Sequence, residues 1–275
     1  MPASRSLFRI LTSAVASLSI LIACSATAAG QAASDEVNKG VEAYKSGRYA
    51  DAIVHFQKAT ELDPNLPMAK VYLATALAQN VVPGLDTPEN LKTAQQSIEI
   101  FQQVLANDPH DVNSLKQIAG IYFSIKRLDD AKAWQKKVLD ENPDDPEAAY
   151  TIGVIDWTLA HMNVLKALSS AGLQDDGMGN TNALAGVMQA IKAQNSALVE
   201  EALQYLNQAV ASRPNYDDAM AYLNLAYRRK ADLDWGNEDA RKEDIAKAEG
   251  WRNKAMETRR ANEQKITPDP NSPQP

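Results

Sequence analysis

The side chains able to do chemistry are few and scattered in this chain of 275 residues. Its three histidines, His55, His110 and His161, stand far apart, with no HExxH, no His-x-His and no cysteine nearby. A metal centre or a nucleophile–base pair needs ligand types brought together at set spacings, and none of those spacings occurs. His55 precedes Phe56 in a helical segment, His110 falls in a turn, and His161 alone lies near an irregular stretch. The glycine-rich stretches match neither a phosphate-cradling loop nor GxGxxG, and GxSxG is absent. The carboxylate pairs Asp129-Asp130, Asp144-Asp145 and Glu200-Glu201 occupy turns and helix starts, where acids favour the helix dipole. The run Asp175-Asp-Gly-Met-Gly-Asn-Thr-Asn182 invites a calcium reading. Counted from Asp176, however, Met178 fills a ligand slot, and Gly186 to Gln189 offers no acid. The sequence therefore argues against an enzyme and implies no metal and no cofactor.

The pattern that does recur is structural. Four segments share it: Ala52-x3-Phe56-x2-Ala59-x4-Pro64, Ser97-x3-Phe101-x2-Val104-x4-Pro109, Ala131-x3-Gln135-x2-Val138-x4-Pro143 and Ala202-x3-Leu206-x2-Ala209-x4-Pro214. Small, large and small residues return at helical spacing. An Asp-Pro, Asn-Pro or Arg-Pro step then closes the helix, because a residue before proline is pushed out of the α region. Partner helices precede these segments at Asn38 to Tyr44, Val71 to Leu77, Ile118 to Tyr122, Tyr150 to Trp157 and Tyr222 to Tyr227. A fifth second helix, around Ala248-x3-Arg252-x2-Ala255, keeps the small positions, lacks the large residue and the closing proline, and reads as a cap. Alternating β-branched runs and Asn-Gly hairpins are absent, so the chain is all-α.

Pro109 and Pro143 are 34 residues apart, the length of one tetratricopeptide unit. The stretch Gly47 to Asn65, with Ala52, Phe56, Ala59 and Pro64 in place, resembles the second half of such a repeat almost position for position. The resemblance extends over residues 35–262. It implies a right-handed α-solenoid of about five helical hairpins, a class that generally holds other proteins.

Two intervals are longer than one unit. Pro64 to Pro109 carries an insertion near residues 80–90, with a Pro83-Gly84 turn, Thr87 as N-cap and Pro88 at the first helical position. It is either a loop over one mouth of the groove or, as we favour, a longer hairpin with a decorated turn. The second insertion, near 158–195, prolongs a first helix, breaks at Asp175–Asn182, and starts another helix at Ala183.

The ends of the chain bound its location. Arg5 and Arg9 precede the mostly apolar stretch from Ile10 to Ala23, too short to span a bilayer, so residues 1–23 read as an export signal. Cys24, the one cysteine, follows Leu21-Ile22-Ala23, an order resembling a bacterial lipobox. Lipidation at Cys24 would anchor the protein firmly, and Ser25 would resemble outer-membrane sorting. Cleavage at Ala26-Thr27-Ala28 is the alternative and would leave a soluble periplasmic or secreted protein. Residues 24–34 read as a linker, and 263–275 as a disordered proline-rich tail. The formal charge of −7 becomes more negative once Arg5 and Arg9 are removed. No basic block survives, which argues against nucleic acid and against contact with a membrane other than through a lipid.

The resemblance also implies where a partner would lie. First helices line the inner face of such a stack, which places Val41, Tyr44, Phe123, Tyr150, Val154, Trp157 and Arg228 in a groove. The clamp that chaperone-binding relatives use for a terminal carboxylate is missing, since Val37, Val41, Tyr72, Asn113 and Gln117 stand at its positions. An apolar, aromatic strip of this kind suits an amphipathic helix or an extended peptide. Alternatively, the same residues are packing, or the second insertion folds back and fills the groove. The favoured function is a non-enzymatic scaffold of the bacterial cell envelope that binds a protein or peptide partner. The runner-up is a binding module for a small ligand or exported polymer with the insertion as lid. Oligomeric state is not legible.

Overall fold

The computed structural model describes residues 30–266; the expected export signal, Cys24 and the segment from Thr267 lie outside them. Among the described residues there are ten helices and no strand. They are α1 (30–45), α2 (Tyr49–Leu62), α3 (Pro67–Asn80), α4 (Pro88–Asn107), α5 (Val112–Ser124), α6 (Leu128–Glu141), α7 (Pro146–Ser170), α8 (Ala185–Ser212), α9 (Asp217–Leu233) and α10 (Glu238–Ile266). The chain divides into two compact units, one ending at Arg127 and the other beginning at Leu128. None of the described helices is long and apolar enough to cross a membrane.

The helices stop where the prolines require it. Asp63, Asp108 and Arg213, each directly before a proline, leave the helix with φ of −138°, −133° and −134°. Starts are fixed by side chains: Thr87 accepts from the Asn90 amide, Asp111 from Ser114, and Asp145 from Glu147 and Ala148. At the α1–α2 turn Gly47 adopts φ +72°. There Arg48 N–H donates to the Ala43 carbonyl at 2.9 Å, which closes the end of α1.

Within each hairpin the recurring small and large residues are the core. Ala52, Phe56 and Ala59 are buried, as are Ser97 and Phe101, Ala131 and Val138, and Ala202, Leu206 and Ala209. Two close approaches show why the small positions cannot grow. A Cβ on Gly40 of α1 would lie 2.5 Å from the Phe56 ring, and one on Gly153 of α7 would lie 2.5 Å from Leu206 Cγ. In the capping hairpin Ala248 and Ala255 are buried, and Trp251 packs with Leu223 and Tyr222, giving the bulk that Arg252 does not. Gln135 takes a large apolar position, and its buried Oε1 has no hydrogen-bond partner.

Charges cross between helices where the thin core leaves room. In the first unit Glu36 of α1, itself buried, pairs with His55 Nδ1 at 2.8 Å and with Lys58 at 3.0 Å on α2. In the second unit Lys132 of α6 bonds Asp156 of α7 and Glu201 of α8, each at 2.5 Å. Burial pushes the fully enclosed Asp156 carboxyl up to about 6 against the pull of Lys132.

As the sequence leads one to expect, the second insertion prolongs α7 and starts another helix after the break. That helix, from Ala185, runs on as the second member of the hairpin. The insertion thus lengthens both members of one hairpin, so that α7 runs for 25 residues and α8 for 28. The extension has its own core of Val164, Leu168, Ala183, Met188 and Ile191. Below it, buried Asn195 donates to the Ala160 carbonyl and accepts from Asn163.

Two outcomes follow. Gly153→Ala should lower stability by about 1–3 kcal/mol in urea unfolding through overpacking. Its loss should be less than additive with that of Leu206→Ala, which removes the side chain it strikes. Lys132→Met should cost about 3–5 kcal/mol at pH 8, where it strands the Asp156 carboxylate. The cost should shrink at pH 5. Asp156 has a folded pKa of about 6 even beside Lys132, and loss of that cation raises it further. The carboxylate therefore takes up a proton as the pH falls, and the penalty fades.

Candidate functional site

In the first unit the helical period of α3 sets Val71, Thr75 and Ala78 on one face, and each lines a recess. The first recess, about 360 Å³, is lined by Val41, Tyr44, Lys45, Phe56, Val71, Tyr72 and Thr75. Its walls are mostly apolar. Tyr44 packs on Tyr49 with ring centroids 5.2 Å apart, and Tyr72 on Phe56 at 5.5 Å. Burial raises the pKa of the Tyr44 phenol, so this group stays a neutral hydrogen-bonding partner. Thr75 spends its hydroxyl proton on the Val71 carbonyl, and Lys45 stands at the rim as a cation.

The second recess, about 390 Å³, is lined by Ala78, Gln79, Val81, Pro83, Gln117, Gly120, Ile121 and Ser124. The first insertion builds one wall of it. Asn90 accepts from Val82 N–H at 2.8 Å and donates to the Val82 and Leu85 carbonyls, which folds the loop onto the start of α4. Gly84 N–H then donates to the Ser124 carbonyl at 2.8 Å, tying the loop to the end of α5. Phe123 beside that bond is 40% exposed, and Val82 and Leu85 are exposed as well. Sequence reading had not singled out Asn90. The signal that could have found it is an amide side chain three residues after an N-cap, next to a loop whose backbone groups lack helical partners.

In the second unit the expected groove residues are engaged by their own chain. Tyr150 lies between Tyr216 and Tyr222, at centroid distances of 5.0 and 5.7 Å. Val154 is buried. Trp157 meets Tyr222 edge-on at 5.2 Å and stacks on His161 at 5.0 Å. Arg228 donates to the Gly177 carbonyl of the second insertion at 2.9 Å and pairs with Glu249 of α10. The groove residues thus fall into two sets. Val41 and Tyr44, partly buried against the first hairpin's core, line a recess, and Phe123 is exposed. Val154, by contrast, is buried, and Tyr150, Trp157 and Arg228 are partly buried against α9, α10 and the insertion.

Asp156 faces Lys132 and Glu201, whereas His161 Nδ1 lies 3.9 Å from Asp175. Burial, together with nearby Arg229, lowers the His161 pKa, which favours a neutral ring. Among the described residues no group of three His, Cys, Asp or Glu side chains is placed to hold a metal ion. The acids of the Asp175–Asn180 turn are already engaged: Asp175 accepts from Gly177 N–H and pairs with Arg229, and Asp176 accepts from Met178 and Asn180 N–H.

Comparison with known proteins bears on the repeats and the fold. The sequence profile of the tetratricopeptide repeat matches residues 36–66 and 91–153. Hsp70-Hsp90 organizing protein 2 of Arabidopsis thaliana is 27% identical over 113 residues, covering 41% of this chain and 18% of that protein. Protein STIP1 homolog of Dictyostelium discoideum is 31% identical over 114 residues, covering 41% and 20%. The chain thus spans about a fifth of the length of these curated relatives. Among solved structures, MamA from Desulfovibrio magneticus RS-1 superposes with a TM-score of 0.54 at 16% identity, covering 84% of this chain and 96% of that one. A second MamA structure gives 0.52 at 14% identity, covering 83% and 96%. That likeness extends to the fold, and the profile matches to the repeats: the chain carries tetratricopeptide repeats in an all-α fold of stacked helical hairpins.

Proposed function

We propose that this chain is a non-enzymatic scaffold of the bacterial cell envelope that holds a protein partner on the α1, α3 and α5 face of its first unit. The observation that carries the reading is the apolar recess lined by Val41, Tyr44, Phe56, Val71 and Tyr72. Rigid aromatic walls with a polar tip suit an extended peptide or an amphipathic helix. Such walls bury much area for little lost side-chain entropy. Tetratricopeptide proteins generally bind proteins, and one relative is named as an organizer of Hsp70 and Hsp90. Phe123, with the neighbouring recess walled by Pro83, extends the surface along α3 to α5. Tyr150, Val154, Trp157 and Arg228 are left out of this surface, since each already has partners within the second unit.

The envelope assignment rests on the sequence of the first residues. An export signal followed by Cys24 places the mature protein in the periplasm, held to the outer membrane by a lipid on that cysteine. Cys24→Ala should shift the protein from the membrane to the soluble envelope fraction. Unchanged fractionation would remove the anchor from the proposal.

For the binding face, a photocrosslinking residue at Lys45 should capture a discrete envelope protein in cells. Thr75→Trp, which fills the recess, should abolish that capture while Phe123→Ala weakens it. Capture that survives Thr75→Trp would move the site off this face. Absence of any discrete product from Lys45 would reject the scaffold reading.

A further inference from the structure

In the second unit the turn inside the long insertion is fastened to α9 and α10 by a compact set of charged and polar groups. Arg229 of α9, 4% exposed, reaches Asp175 of the insertion at 2.8 Å and Asp232 one turn along α9 at 3.2 Å. Buried Asn180 of the insertion bridges the same two carboxylates, donating to Asp175 at 3.1 Å and to Asp232 at 2.7 Å. The insertion backbone is held as well. Arg228 donates to the Gly177 carbonyl, and Arg241 of α10 donates to the Met178 carbonyl at 2.7 Å. Gly179 makes this fit possible: it adopts φ +100°, and a Cβ there would lie 2.6 Å from Arg241 Cδ.

Two carboxylates, Asp232 fully buried and Asp175 partly so, share one guanidinium and one amide, so the cluster holds one negative charge too many when both are ionised. Other groups do not correct the excess. Asp176 adds a further negative field, His161 of α7 stands 3.9 Å from Asp175, and Arg228 and Arg241 spend donors on carbonyls. Lys230 of α9 is turned to Asp244 and Asp234, and Lys192 of α8 acts on Asp234. Asp232 Oδ2 lies 3.2 Å from Arg229 Nη1 without hydrogen-bond geometry, so the guanidinium offsets its charge only in part.

We propose that residues 171–184 form a proton-controlled strap, shut over Arg228 and the adjoining face of α9 while Asp232 carries a proton, and loosened when Asp232 ionises beside Asp175. Burial, opposed by Arg229, pushes the Asp232 carboxyl up to about 7, while Arg229 overcomes burial to hold Asp175 below its ordinary value. The sign follows from linkage. Once the strap lifts, Asp232 returns towards the ordinary value of 3.8, so opening releases a proton between that value and about 7. The shut state is fully favoured below the lower value and is lost progressively as pH rises through 7, with no further change above it. The response of the strap to pH does not depend on the scaffold reading above, whose surface leaves Arg228 out.

Hydrogen exchange on the full chain, followed by mass spectrometry and corrected for the intrinsic rate, tests this. Amides of residues 174–182 should open at least about tenfold more often at pH 8 than at pH 5, while those of α2 and α4 keep their protection. Asp232→Asn, a permanent mimic of the protonated acid, should keep the strap protected and flatten its pH dependence. A strap whose corrected protection is constant from pH 5 to 8, or an Asp232→Asn chain with the wild-type slope, would overturn the proposal. Should that variant fail to fold, carbon-13 titration of the Asp232 carboxyl in the wild-type chain decides. A midpoint near 7 supports the strap, and one near 4 rejects it.

Discussion

The close approach of two helices within each hairpin is the constraint on which the rest of the structure depends. Glycine or alanine on one helix lets its backbone come within reach of a single large side chain on the next. Gly40 stands against Phe56 and Gly153 against Leu206, with no room for even one methyl group. That contact fixes where the first helix lies on the second, and hence which of its residues are left on the opposite face. In the first unit the face left over is the one bearing Val41, Tyr44, Val71 and Thr75. The recess is therefore a consequence of the packing rule: every small residue turned to the second helix leaves larger ones turned away from it.

A core only one helix layer thick places charged groups close to apolar ones, and the chain answers by pairing them across helices. Glu36, Asp156 and Asp232 are all enclosed carboxylates, yet their surroundings differ. Glu36 has His55, Lys58 and Lys39 around it and no competing acid at the contact. Asp156 shares Lys132 with Glu201, while Lys136 supplies a second cation to Glu201. Asp232 shares its one arginine with Asp175 and gains only an amide besides. The balance of charge falls along that series. Deletion of a partner is costly at any of the three sites, but only at the last does the intact protein itself retain unbalanced charge.

The helices were legible in the sequence because their signals are local. Prolines end them, Thr87 and Asp145 begin them, and the 3.6-residue period marks the buried face, all within a turn or two of chain. Even the unusual lengths of α7 and α8 showed as an interval between prolines. The exposure of the groove residues was not legible in the same way. Tyr150, Trp157 and Arg228 carry the pattern of a first helix as well as Tyr44 does. What engages them is Tyr222, His161 and Gly177, and the last lies 51 positions from Arg228. Asn90 and Asn180 were missed for a related reason: an amide that binds loop backbone has no period and declares itself only when the loop is folded.

Insertions in the two units use the same physical device to opposite effect. In the first unit Asn90 gathers the backbone of a short loop so that Pro83 becomes a wall and the space beside it stays open. In the second, Asn180 gathers two carboxylates and brings the backbone carbonyls of Gly177 and Met178 onto arginines that would otherwise face solvent. A loop that satisfies its own polar groups can border a recess, whereas a loop that takes its partners from neighbouring helices must lie on them. Peptide binding to an inner face draws on the same groups, arginine and amide donors meeting carbonyl and carboxylate acceptors. The insertion therefore already has the chemistry of a bound segment, supplied in cis and at high effective concentration. An outside peptide would have to displace a tethered competitor on α9, whereas among the described residues no insertion is fastened onto the recess beside α3. That difference, more than any difference in aromatic content, is the reason to place the partner on the first unit.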